Sequence, residues 1–147
     1  MVYHKNKKVT TIFNEGDNMS SNEEKSQYQY RVLEDGTAEI MGYSGSDVNI
    51  SIPSMIDGRK VTSIVKEAFK GLSNLKEVDI PNSVTSIGEY AFYKCKSLTS
   101  VTISNGVTSI GEYAFRDCKS LTPVTLPNSV TSIGCNAFDY GTKVIIK

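Results

Sequence analysis

The chain has 147 residues, enough for one hydrophobic core of ordinary size, and its 16 Lys and Arg against 16 Asp and Glu leave no net charge. No basic run marks a nucleic-acid surface, and no apolar stretch approaches the ~18 residues of a membrane-spanning helix. Three cysteines, an odd and small number, imply no disulfide framework.

The N-terminal MVYHKNKKVTTIF is basic but is followed by no apolar run, which predicts no secretory signal. The chain as written is therefore expected to stay in the cytoplasm with reduced thiols. Met19–Ser26 is polar and aperiodic, and residues 1–26 read as a disordered tail. Glu15-Gly16-Asp17 back-translates to a ribosome-binding sequence at a suitable distance before Met19. This predicts a native start at Met19 in a bacterium, with 1–18 an over-extended reading frame. Detection of peptides from Lys8–Asp17 in the native protein would refute it.

Residues 27–60 read as a cap and a first strand. Tyr28–Val32 and Thr37–Met41 flank the turn signal Asp35-Gly36 and predict a β-hairpin. Ile50–Ile52 is the first parallel strand, and an insertion of five residues around Asp57-Gly58 precedes the next segment.

From residue 61 to 147 the sequence repeats with a period of 23, as three full units and one truncated. Val61, Val84, Val107 and Val130 keep that step, as do Ile64, Ile87, Ile110 and Ile133, and Phe69, Phe92, Phe115 and Phe138. Leu75, Leu98 and Leu121 follow in register. One unit cannot close a core, so like residues must stack on like, and the phenylalanines are expected to form an aromatic spine. Val78–Ile80, Val101–Ile103, Val124–Leu126 and Val144–Ile146 alternate inward and outward and read as short parallel strands. The valine and isoleucine columns predict a second inward ridge.

Glu89–Tyr93 and Glu112–Arg116 read as single helical turns. Gly88, Gly111 and Gly134 precede such turns, where a positive φ would need glycine. Val65 holds the matching place in the first unit, so either that backbone differs or the glycine is not conformationally required. The last unit is three residues shorter between Phe138 and Val144, and Lys143 and Lys147 flank its strand as guards of an open edge. The fold class is α/β: a right-handed solenoid with short parallel strands, short helical turns and an N-terminal hairpin cap. The period lies in the leucine-rich-repeat range of roughly 20–29 residues.

The unit L-x-x-V-T-I-P-N-S-V-T-S-I-G-x-x-A-F-x-x-C resembles the BspA-type, or Treponema pallidum-type, leucine-rich repeat. Leu75–Cys95, Leu98–Cys118 and Leu121–Phe138 carry the resemblance, and Tyr30–Ile40 and Ile52–Ile64 resemble the family's opening segment. The resemblance covers about residues 28–147. It implies a surface protein of bacterial type that binds host matrix or another cell.

The residues themselves offer little chemistry. The one histidine, His4, stands in the expected tail, and no catalytic triad, metal motif or phosphate loop is present. No catalysis, cofactor or metal is expected. Cys95 and Cys118 share a column and read as buried thiols, with a disulfide or metal as the alternative; Cys135 is expected to be accessible. Glu89 and Glu112 read as solvated surface. Tyr90 and Tyr113 read as packing along the stack, with a sticky stripe as the alternative. Asn49-Ile50-Ser51 is a formal glycosylation sequon and, with no secretory signal expected, is expected to be idle.

The expected function is a non-catalytic protein-interaction or adhesion module, the alternative a structural spacer with no ligand. Its partner would be a protein, from host matrix or another cell surface, with no nucleic acid and no membrane insertion. The outward strand column Asp79, Thr102 and Thr125, with Glu77 and Ser100 beside it and the turn column Asn82, Asn105 and Asn128, is the expected binding face. Small hydroxyl and amide groups there lose little entropy when immobilised. Parallel stacking is expected to make this face flat and continuous.

Overall fold

The computed structural model describes residues 9–12 and 27–147, which wind into a parallel β-solenoid of about five coils. One wall begins at β1 (Val9–Ile12), β2 (Tyr28–Leu33) and β3 (Ala38–Tyr43), which pair antiparallel. Against the expected tail over residues 1–26, the β-branched run Val9–Ile12 is a strand on the outer edge of β2; the other residues of that stretch lie outside the described ones.

The expected hairpin is present, but its loop is longer than a two-residue turn. Gly36, at φ 90°, donates its N–H to Leu33 C=O at 2.8 Å. The Asp35 carboxylate accepts from the N–H and hydroxyl of Thr37 at 3.0 and 2.7 Å. Next come β4 (Asn49–Ser51), β5 (Met55–Ile56) and β6 (Arg59–Ile64). The five inserted residues fold β5 antiparallel onto β6 through Asp57-Gly58, both in the left-handed region at φ 50° and 77°. The buried Tyr30 donates its hydroxyl to the Asp57 carboxylate and ties this hairpin to the cap.

Beyond β6 the two inward ridges become two strand walls. One adds β8 (Ser86–Ile87), β10 (Ser109–Ile110) and β12 (Ser132–Ile133) in parallel, with Ile64, Ile87, Ile110 and Ile133 in register. Thr85, Thr108 and Thr131 each donate a hydroxyl to the threonine carbonyl of the coil before, at 3.2, 3.1 and 3.4 Å. The other wall carries β7 (Glu77–Ile80), β9 (Ser100–Ile103), β11 (Val124–Leu126) and β13 (Val144–Ile146), the strands expected from the alternating pattern.

The third wall departs from expectation. Among the described residues there is no helix, and the segments read as helical turns are chains of tight turns. The reason is where their N–H groups go. Phe92 and Lys94 donate to Ala114 and Arg116 of the next coil at 2.7 and 2.9 Å, and Phe115 donates to Ala137 at 2.7 Å. Donors committed between coils cannot build an i to i−4 ladder.

The turns are made by left-handed residues in two columns. Glu67, Tyr90, Tyr113 and Asn136 form one, at φ 57° to 65°; Gly71, Lys94 and Asp117 form the other. The glycines expected at positive φ are not among them. Gly88 and Gly111 are needed for close approach: a Cβ on either would lie 2.7 Å from a backbone nitrogen of the preceding coil. Val65, at the matching place, donates its N–H to Ile40 C=O of the cap strand at 3.0 Å, as Gly88 does to Ile64 C=O at 2.8 Å.

The core runs the length of the stack. Phe69, Phe92 and Phe115 are fully buried, and the rings from Phe69 to Phe138 stack at centroid distances of 5.0, 5.0 and 5.4 Å. Burial of each such ring contributes roughly 1.5–3 kcal/mol. Tyr28 and Tyr43 close the spine at the N-terminal end, with centroids 6.5 and 6.1 Å from Phe69. Cys95 and Cys118 are buried free thiols, donating to the carbonyls of Phe69 and Phe92 at 3.2 and 3.1 Å. The hydrogen bond with Cys95 and then burial push the Cys118 thiol up.

Candidate interaction face

Period-two alternation on the strands sends Val78, Ile80, Ile103, Val124 and Leu126 into the core and leaves their neighbours outside. Glu77, Asp79, Ser100, Thr102 and Thr125 are all exposed on this wall, and Asn82, Asn105 and Asn128 are exposed in the turns that follow. Those turns are closed by bonds such as Val107 N–H to Ser104 C=O at 3.1 Å. Register places Ser51 beside Asp79, Asp79 beside Thr102 and Glu77 beside Ser100. Ser51 donates to the Asp79 carboxylate at 3.3 Å. Among the described residues, neither Glu77 nor Asp79 forms an ion pair.

The face is not continuous, as the stacking alone had suggested. Strands β4, β7 and β9 form one sheet, β11 and β13 another, and no ladder joins β9 to β11. Val124 donates forward to Lys143 C=O at 2.8 Å, and Leu126 accepts from Lys147 N–H at 3.0 Å. Residues 124 and 126 therefore face β13, which leaves Thr125 facing β9, while Pro123 and Pro127 on either side of β11 have no N–H to give.

On β9 the alternation is the same as on β11. Ser100 donates back to Lys76 C=O at 3.3 Å, so Val101 and Ile103 direct their backbone groups at β11. The strands splay and a groove of about 210 Å³ opens between them. Val101, Thr102 and Ile103 of β9 line it, with Asn105, Thr125, Pro127 and Lys147. Val101 is half-buried, whereas Val78 and Val124 of the same column are 1% exposed.

The structure thus gathers Thr102, Asn105 and Thr125 around one groove, leaves Ser100 outside its lining on β9 and Asn128 outside it after β11, and leaves Glu77, Asp79 and Asn82 on the preceding coil. The sequence reading missed Val101 and Ile103 as groove residues. The available signal was Pro123, standing where the other units have Glu77 and Ser100. No group of three His, Cys, Asp or Glu side chains is placed to hold a metal among the described residues.

The opposite turn wall is occupied by its own contacts. Tyr90 and Tyr113 stack at 4.9 Å and 4°, Tyr93 meets Tyr90 edge-on at 5.0 Å, and the ammonium groups of Lys70 and Lys94 lie 5.8 and 5.3 Å from the Tyr93 centroid. Desolvation, then Tyr113, Tyr93 and the Glu89 and Glu112 carboxylates, raise the pKa of the Tyr90 phenol. Cys135 is exposed, and Glu89 lies 4.0 Å from Lys66.

The family model described as the BspA type leucine rich repeat region matches residues 44–146 in six copies. The chain belongs to the BspA-type leucine-rich-repeat family. Among solved structures, the Treponema pallidum leucine-rich repeat protein is 30% identical with a TM-score of 0.69, over 76% of this chain and 63% of that one. A leucine-rich repeat protein of Bacteroides capillosus is 30% identical with a TM-score of 0.70, over 82% of this chain and 94% of that one. A leucine rich cell surface protein of Faecalibacterium prausnitzii is 30% identical with a TM-score of 0.62, over 82% of this chain and 41% of that one. The chain therefore spans less than two thirds of the treponemal and Faecalibacterium proteins. No curated protein matches the sequence.

Proposed function

We propose that this BspA-type chain is a non-catalytic protein-interaction module that adheres to a protein of host matrix or of another cell surface. Its contact surface is the outward face of β7, β9 and β11, comprising Glu77, Asp79, Ser100, Thr102 and Thr125 with Asn82, Asn105 and Asn128. One observation carries this reading: the outward columns change from carboxylate to hydroxyl along one face, and a groove interrupts it where Thr102, Asn105 and Thr125 converge. A surface kept only for solubility has no need of that variation, and extended solenoid faces suit protein partners. The name of the Faecalibacterium relative supports a surface location. No helix among the described residues is long and apolar enough to cross a membrane, which is compatible with a protein displayed by other means.

The test is Thr102→Lys with Thr125→Lys, assayed on immobilised matrix proteins and on whole cells. Partner binding is expected to fall at least tenfold while the melting temperature barely moves, because both side chains are exposed. Retained binding by the folded double variant would reject this face. A wild-type chain that captures nothing from either panel would favour a spacer.

A further inference from the structure

We propose that the groove between β9 and β11 is a slot for an arginine side chain of the protein partner, an inference that rests on reading this wall as the contact face. Pro123 and Pro127, which flank β11, have no N–H to present to β9, so Thr125 is the one residue of β11 with a backbone donor on that side. The groove is left with an excess of acceptors. The carbonyls of Val101 and Ile103 point toward a strand that does not pair with them, and Thr102, Thr125 and Asn105 add side-chain oxygens. Carbonyls that no strand ladder pairs favour a ligand that brings several N–H groups.

Charge selects among such ligands. Asp79 continues the Thr102 and Thr125 column one coil away, Glu77 continues the Ser100 column, and neither carboxylate has an ion-pair partner among the described residues. Lys147, on the β13 side, also lines the groove, so a cation would enter from the Asp79 side. A guanidinium is thin, planar and forked. It can donate to two acceptors across a narrow slot and still present an edge to a carboxylate, which a lysine ammonium cannot match in geometry.

The experiment uses the full chain, labelled for amide NMR, and titrates it with N-acetyl-arginine amide, its neutral isostere N-acetyl-citrulline amide and N-acetyl-lysine amide. Arginine is expected to shift the amides of Thr102, Ile103, Asn105 and Thr125, and to bind about tenfold more tightly than citrulline or lysine. Asp79→Asn should narrow that preference. Pro123→Ser, which returns an N–H beside β11, should weaken the arginine shifts.

Absence of shifts at these amides, equal response to arginine and citrulline, or unchanged arginine binding in a folded Pro123→Ser chain would overturn the slot. Failure of the contact face would look different. Arginine would still shift these amides, but the Thr102→Lys, Thr125→Lys chain would keep its protein partner.

Discussion

A methyl group on Gly111 would lie 2.7 Å from the backbone nitrogen of Glu89, closer than packed atoms approach, and that nitrogen belongs to a coil held on both sides. Gly111→Ala is therefore expected to cost about 1–3 kcal/mol, read as a lowered midpoint in urea, because the coils must separate to admit it. Lys94 presents the opposite case. It is exposed and left-handed at φ 64°, in the column that Gly71 begins. Lys94→Gly should be neutral or stabilise by up to ~1 kcal/mol, since relief of the left-handed backbone opposes the entropy lost by the added glycine. Phe92→Ala opens a cavity between two stacked rings and should cost about 3–5 kcal/mol in the same assay. The phenylalanine column was legible because one residue type recurs at one spacing. The left-handed columns were not: Glu67, Tyr90, Tyr113 and Lys94 share no propensity that announces their φ, and only Gly71, Asp117 and Asn136 hint at it.

Strands and turns differ in how plainly the sequence writes them. Val101-Thr102-Ile103 and its counterparts alternate between core and solvent, so the pattern that makes a strand is also the pattern that is read. The turn wall has no such identity. Ala91, Phe92 and Cys95 all point inward, a spacing compatible with a helical turn, and only the destination of the N–H groups of Phe92 and Lys94 decides against one. That destination lies 22 residues away, on Ala114 and Arg116, and is a property of the stack rather than of the segment. Far-UV circular dichroism of the chain is accordingly expected to show a single strand-type minimum. A helical double minimum would mean that these segments wind alone. The break between β9 and β11 sits between the two cases. Pro123 and Pro127 were visible, but their effect depended on which neighbour each backbone group faces, and that parity came only with the register.

Across the whole molecule the two ends of the stack are finished differently. At the N-terminal end Tyr28 and Tyr43 lie against Phe69, and the cap strand β3 pairs with β6, so the first coil is covered on its core and on one wall. At the other end, Ile133 is 45% exposed where Ile64, Ile87 and Ile110 are 1% exposed, and Ile146 is 65% exposed where Ile80 is 1% and Leu126 is 0%. In a stack whose stability is a sum of coil and interface contributions, a coil with one interface opens before a coil with two. Native-state hydrogen exchange should therefore be at least about tenfold faster at the amides of β12 and β13 than at those of β8 and β10. Tyr43→Ala should carry the fast exchange into β3 and β6, because it uncovers Phe69. Tyr140→Ala, at a side chain 94% exposed, should leave the profile unchanged. Uniform protection from β6 to β13 would instead mean that the coils open as one cooperative unit, with the covered end stabilising the open one through the continuous phenylalanine spine.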